Sequence, residues 1–194
     1  MSAGLNEGAP PRDPRRERGA QEILRLTPKL GLSRWYLGAG CIAQTVWNVQ
    51  HGFEPEAHIK DYDLVYFDAS DLSLEAEDHV IQAARILLAH IPVAVEVRNQ
   101  ARVHLWYERR FGYPIPPYLS VHDAIESWPT TATAIGVRQT PIEFTVYAPF
   151  GLEDLFAMIA RPNKRQVTEE IYFRKVERWR THWPELRIMS WNEA

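Results

Sequence analysis

The chain of 194 residues contains a single cysteine, Cys41, which excludes an internal disulfide and every metal site built from several thiolates. No run of apolar residues is long enough to span a bilayer, and the first twenty residues lack the apolar core of a signal peptide. Both absences point to a cytoplasmic protein with no membrane partner. Charge of one sign is also missing in bulk. The formal net charge is -3, so nothing draws the whole molecule to nucleic acid or to an anionic lipid surface, and no DNA partner is expected. The seven histidines show no close zinc-ligand spacing, and no nucleophile elbow is present, which argues against zinc or serine chemistry.

What is present is an ordinary globular composition, 45% hydrophobic and 24% charged, in a length that can bury a real core. Residues 1–20, with Gly4, Gly8, Pro10, Pro11, Pro14 and four arginines, bury little and read as a flexible tail. Residues 21–150 read as a core domain and 151–194 as a C-terminal helical segment packed on it.

The most informative stretch is Ile59 to Asp68, an apolar and aromatic run interrupted by Asp61 and Asp63. In an extended strand these two side chains emerge on one face, close enough to grip the same cation. Hard carboxylate oxygens side by side suit Mg²⁺ or Mn²⁺. The plainer alternative is a strand end whose acids are simply solvated.

Around it the chain punctuates itself clearly. Gly38-Ala39-Gly40-Cys41 leads into Ile42, Val46 and Val49, the spacing of a buried helical stripe that ends at His51-Gly52. A glycine-bearing turn opening a helix lets backbone N–H groups approach an anion. Ser73 is an expected N-cap, with Val80, Ile81, Ala84, Leu87 and Leu88 as the apolar face of the following helix. Val93 to Arg98 then reads as a buried strand carrying one acid, Glu96, which would either face the aspartates or pair with Arg98 or Arg102. Residues 99–107 lean towards helix, and Ser120 with Asp123 resembles a capping box. Thr131 to Arg138 and Ile142 to Ala148 read as a hairpin, making Glu143 a reserve third acid. Residues 151–160 and 168–182 read as amphipathic helices, the second basic and aromatic and so suited either to phosphates or to ordinary packing. His104 is a candidate general base.

A glycine turn opening a helix, a strand with Asp61 and Asp63, a helix, and a strand bearing Glu96 together resemble the nucleotidyltransferase superfamily of the DNA polymerase β type. Lys60-Asp61-Tyr62-Asp63, Arg98-Asn99-Gln100-Ala101-Arg102-Val103-His104, Trp128-Pro129 and Ala148-Pro149-Phe150-Gly151-Leu152 resemble more narrowly a small bacterial family described as nucleotidyltransferase-like. The resemblance runs from about Trp35 to Leu186. It implies an α/β (α+β) fold, a short mixed β-sheet packed with helices plus C-terminal helices, and not a doubly wound sheet. It also implies attack of a hydroxyl on the α-phosphorus of a nucleoside triphosphate. Asp61, Asp63 and Glu96 would hold the metal, and Gly40 and Cys41 would form the turn against phosphate. The acceptor would be a small molecule, a protein or RNA. Arg98, Arg102 and Lys164 are expected phosphate or acceptor contacts on charge alone. Cys41 stands where the superfamily turn commonly has glycine or serine. Two other readings stay open: a non-catalytic nucleotide sensor or partner-binding protein, and a metal-dependent phosphohydrolase.

Overall fold

The computed structural model describes residues 19–193. The tail expected over 1–20 lies outside these residues except for Gly19 and Ala20, which open a helix, α1 (Gly19–Leu26). Its backbone starts from a fixed point, because Gly19 N–H donates to Glu56 Oε1 at 2.7 Å.

Five strands form a mixed sheet in the order β3-β2-β1-β4-β5: β1 (Trp35–Gly38), β2 (Asp61–Tyr66), β3 (Ala94–Asn99), β4 (Gly136–Gln139) and β5 (Phe144–Tyr147). Within this sheet only β2 and β3 run parallel, joined through α3 (Leu74–Leu87); its other pairs are antiparallel. The short mixed sheet expected from the resemblance is therefore the one observed. Alternation along β2 explains its place in the middle. Tyr62, Leu64 and Tyr66 are buried on one face against Ile23, Leu24 and Leu26 of α1 and Ala84 and Leu88 at the end of α3. Val65 faces the other way, onto Tyr36 and Ile125 of α5 (Val121–Ile125).

The caps behave as their chemistry requires. Ser73 Oγ accepts from Ala76 N–H, Ser120 Oγ from Asp123 N–H, and Thr168 Oγ1 from Ile171 N–H at the start of α7 (Glu169–Arg180). In α3 and α7 glutamates occupy the first turn and arginines the last, matching the helix dipole.

Several local readings are corrected. α2 (Gly40–Gln50) does not bury Ile42, Val46 and Val49, since Val49 is exposed; it buries Cys41, Ala43, Gln44, Trp47 and Asn48. The polar Asn48 is tolerated there because Nδ2 donates to the carbonyls of Pro55 and Ala57 and Oδ1 accepts from Trp183 Nε1. The hairpin exists, but its first arm is only Gly136–Gln139, because Thr131–Thr133 is a 3₁₀ turn capped by Thr130. Residues 151–160 are not one helix. α6 (Glu153–Phe156) lasts one turn, Met158 takes a positive φ, and β6 (Ile159–Ala160) pairs with β7 (Arg187–Ile188). Residues 99–107 are helical in two pieces, a 3₁₀ turn Gln100–Arg102 and α4 (His104–Phe111). A cluster of Trp47, Trp179 and Trp183, edge to face at 5.3 and 5.6 Å, ties α2 to α7.

Candidate active site

Register brings the acids together. In the parallel pair, Asp63 lies opposite Glu96, and in the antiparallel pair Gly38 lies opposite Asp63. Directly opposed residues share a face, so Gly38, Asp63 and Glu96 form one row across three strands, with Asp61 two residues along β2 on the same face. The turn from β1 into α2 stands beside this row. Gly38 is required there, because a Cβ would meet Ile135 O at 2.5 Å and the Trp128 ring at 2.9 Å. Ala39 caps α2 with φ 59, and its N–H donates to Ile135 O at 3.0 Å. The first N–H groups of α2, Gly40 and Cys41 included, have no partner within the helix and point out of its N-terminus.

Asp63 is the most perturbed of the acids. Its carboxyl is raised to about 6, by burial first and by the neighbouring charges of Asp61 and Glu96, while Lys175 and Arg98 pull it down. Lys175, from α7, is the cation that sequence reasoning missed. Its own pKa is lowered by burial and by Arg178, against the pull of Asp63 and Asp61. Its Nζ also stands 5.6 Å over the Trp179 ring. The signal was present as a basic, aromatic helix, but which of its cations turns inward depends on how α7 packs.

The other expected residues divide. Arg98 reaches the row, its Nη2 3.6 Å from Glu96 Oε2, in a pair whose side chains are each about half exposed, 51% and 49%. Glu96 is thus not the buried acid expected from its strand, because β3 is the edge of the sheet. Arg102 is not placed for phosphate. It is buried, its Nη1 bonded to the buried Glu77 of α3 and its Nε donating to Leu72 O at 2.9 Å. Glu77 also accepts Asn99 N–H at 2.8 Å, so the pair pins α3 to the far end of β3. That end lies roughly 10 Å along the strand from Glu96, and His104 begins α4 beyond it, away from the acids. Glu143 sits in the exposed hairpin turn at the distal end of β5 and does not join the row. Lys164 Nζ stands 5.5 Å over the Trp191 ring. Cys41 offers only its backbone, since its buried thiol donates to Gly38 O at 3.0 Å and burial pushes its pKa up.

As placed, no three Asp, Glu, His or Cys side chains among the described residues stand close enough to hold a metal ion. The donor chemistry nevertheless fits a hard divalent cation. Three carboxylates share one face, their mutual repulsion already raises Asp63, and only a half-exposed ion pair, worth about 0.2–1 kcal/mol, turns Glu96 towards Arg98.

A mixed sheet with a glycine turn opening a helix beside a strand-borne pair of acids and a third acid on the parallel neighbour defines a nucleotidyltransferase-type fold. The family described as nucleotidyltransferase matches residues 25–188, and the chain belongs to it, an enzyme class by descent. A solved structure described as "The NMR structure of the protein reveals a CCA-adding enzyme head domain" is similar at 26% identity, covering 89% of this chain and 90% of that one, with a TM-score of 0.73. No curated protein matches the chain at a significant level. No helix among the described residues is long and apolar enough to cross a membrane.

Proposed function

We propose that the protein transfers a nucleoside monophosphate from a nucleoside triphosphate to a hydroxyl acceptor, with Mg²⁺ or Mn²⁺ held by Asp61, Asp63 and Glu96. The observation that carries this reading is the register of β1, β2 and β3, which aligns Gly38, Asp63 and Glu96 beside the N-terminus of α2. When bound, the metal supplies neutralisation of phosphate charge and a lowered pKa for the attacking hydroxyl. The protein contributes position and charge. The first N–H groups of α2 cradle a phosphate, and Lys175 and Arg98 offset negative charge on the row. In the reaction the acceptor hydroxyl loses its proton to solvent, its oxygen bonds to the α-phosphorus, the bond from that phosphorus to the bridging oxygen breaks, and pyrophosphate leaves with that oxygen. Gly40 and Cys41 act here through their backbones only, and Arg102, held by Glu77, is not among the phosphate contacts.

The test is release of pyrophosphate from each of the four nucleoside triphosphates with Mg²⁺, in the presence of pooled RNA and small-molecule hydroxyl acceptors. The expected result is metal-dependent release that Asp61→Asn and Asp63→Asn each reduce at least roughly a hundredfold. Release that survives both substitutions would refute the reading. Free nucleoside monophosphate with no modified acceptor would assign the same carboxylates to hydrolysis instead.

A further inference from the structure

Beside Asp61 a small cleft opens between the loop leading into β2 and the C-terminal half of α7. It has a volume of about 20 Å³ and is lined by His58, Lys60, Asp61, Arg178, Trp179 and His182, among others. Its enclosed space excludes a nucleobase or a sugar.

Its chemistry is cationic. Elsewhere on α7 the arginines are paired along the helix surface, Arg174 with Glu170 and Arg180 with Glu177. Arg178 and Lys60 have no ion-pair partner among the described residues, although both reach the cleft. The rings of His58 and His182 stack there at 4.4 Å and 19°, and His58 holds a positive φ of 62 to do so. His182 is pushed below its ordinary pKa first by burial and then by His58, Lys60 and Arg178.

We propose that this cleft is a phosphate-binding site, taking one phosphate group on Lys60, Arg178 and the His58–His182 pair. The inference deepens the transfer reading, because the phosphate belongs to a reactant: either the terminal phosphate of the triphosphate or a phosphate carried by the acceptor. Asp61 both lines the cleft and belongs to the metal-holding set, so a phosphate bound here lies against one edge of the acidic row.

The test uses the full chain in EDTA, so that it does not depend on metal or on turnover. Inorganic phosphate and pyrophosphate are titrated calorimetrically into the native protein and into Lys60→Ala and Arg178→Ala, both at exposed positions that do not endanger folding. The expected result is metal-free binding that each substitution weakens about tenfold or more, and that Asp63→Asn leaves intact. No binding at tens of millimolar, or binding that both substitutions leave unchanged, overturns the site. Competition then names the source. Displacement of phosphate by a nucleoside triphosphate but not by the monophosphate assigns the cleft to the triphosphate tail, and simultaneous binding of both assigns it to the acceptor; either outcome retains the site. Metal-free phosphate binding decides this proposal, and Mg²⁺-dependent pyrophosphate release decides the transfer reading, so the two fail separately.

Discussion

Replacing Asp63 by Asn should stabilise the metal-free protein, and the size of the gain follows from the row of acids. In the fold the Asp63 carboxyl is raised from 3.8 to about 6, by burial and by Asp61 and Glu96, even with Lys175 and Arg98 opposing the shift. A raised carboxyl pKa means that the folded state binds the proton more tightly than the unfolded chain does. The charged carboxylate therefore costs stability, with no cost below about pH 4 and the full cost above about pH 6. About two pKa units correspond to roughly 3 kcal/mol at pH 8. Urea denaturation in EDTA at pH 4.5, 6 and 8, for the native chain and for Asp63→Asn, measures it. Asp63→Asn should lead by only about 1 kcal/mol at pH 4.5 and by about 3 kcal/mol at pH 8, or roughly 6–12 °C in Tm for a chain of this size. Added Mg²⁺ should raise the native protein towards the variant and leave the variant where it is. A difference that does not change with pH, or a variant less stable at pH 8, would refute the argument that the acids are held together against their own repulsion.

Other outcomes follow from particular contacts. Arg102→Ala leaves Glu77 buried and unpaired and should cost about 3–5 kcal/mol in denaturation, with nucleotide affinity of the remaining folded protein unchanged. A loss of affinity without loss of stability would return Arg102 to phosphate binding. Gly38→Ala forces a Cβ against Ile135 O and Trp128, and should cost at least about 1–3 kcal/mol, read as a lowered midpoint. Lys175→Met removes the cation that offsets Asp63, so the Asp63 carboxyl should titrate still higher, followed by carboxyl chemical shifts in the metal-free protein. The Cys41 thiol, buried and with its pKa pushed up, should react with a thiol reagent only as fast as the chain opens, and become fully reactive in urea.

How much could be read in advance depended on how local the signal is. Asp61 and Asp63 share a face whatever the rest of the chain does, because a strand alternates sides. The caps at Ser73 and Ser120 were equally local, being a side-chain oxygen and an N–H three residues on. The apolar spacing of Ile42, Val46 and Val49 misled because α2 is packed on two sides and buries Trp47 and Asn48 instead. Residues 151–160 misled for a similar reason: amphipathic spacing does not reveal the pairing of Ile159–Ala160 with Arg187–Ile188, 28 residues away.

By itself the sequence determined that two acids stand side by side on a strand, that a glycine turn opens a helix before them, and that a helix and a further strand with Glu96 come after. These are consequences of backbone periodicity, of capping and of glycine's freedom to let other atoms approach closely. Only the tertiary structure decided which cations answer those acids. Lys175 faces Asp63, Arg98 draws Glu96, Arg102 is consumed by Glu77, and Arg178 with Lys60 is left at a cleft. Charge acts through space and burial, and both depend on how distant segments pack, which no spacing along the chain records.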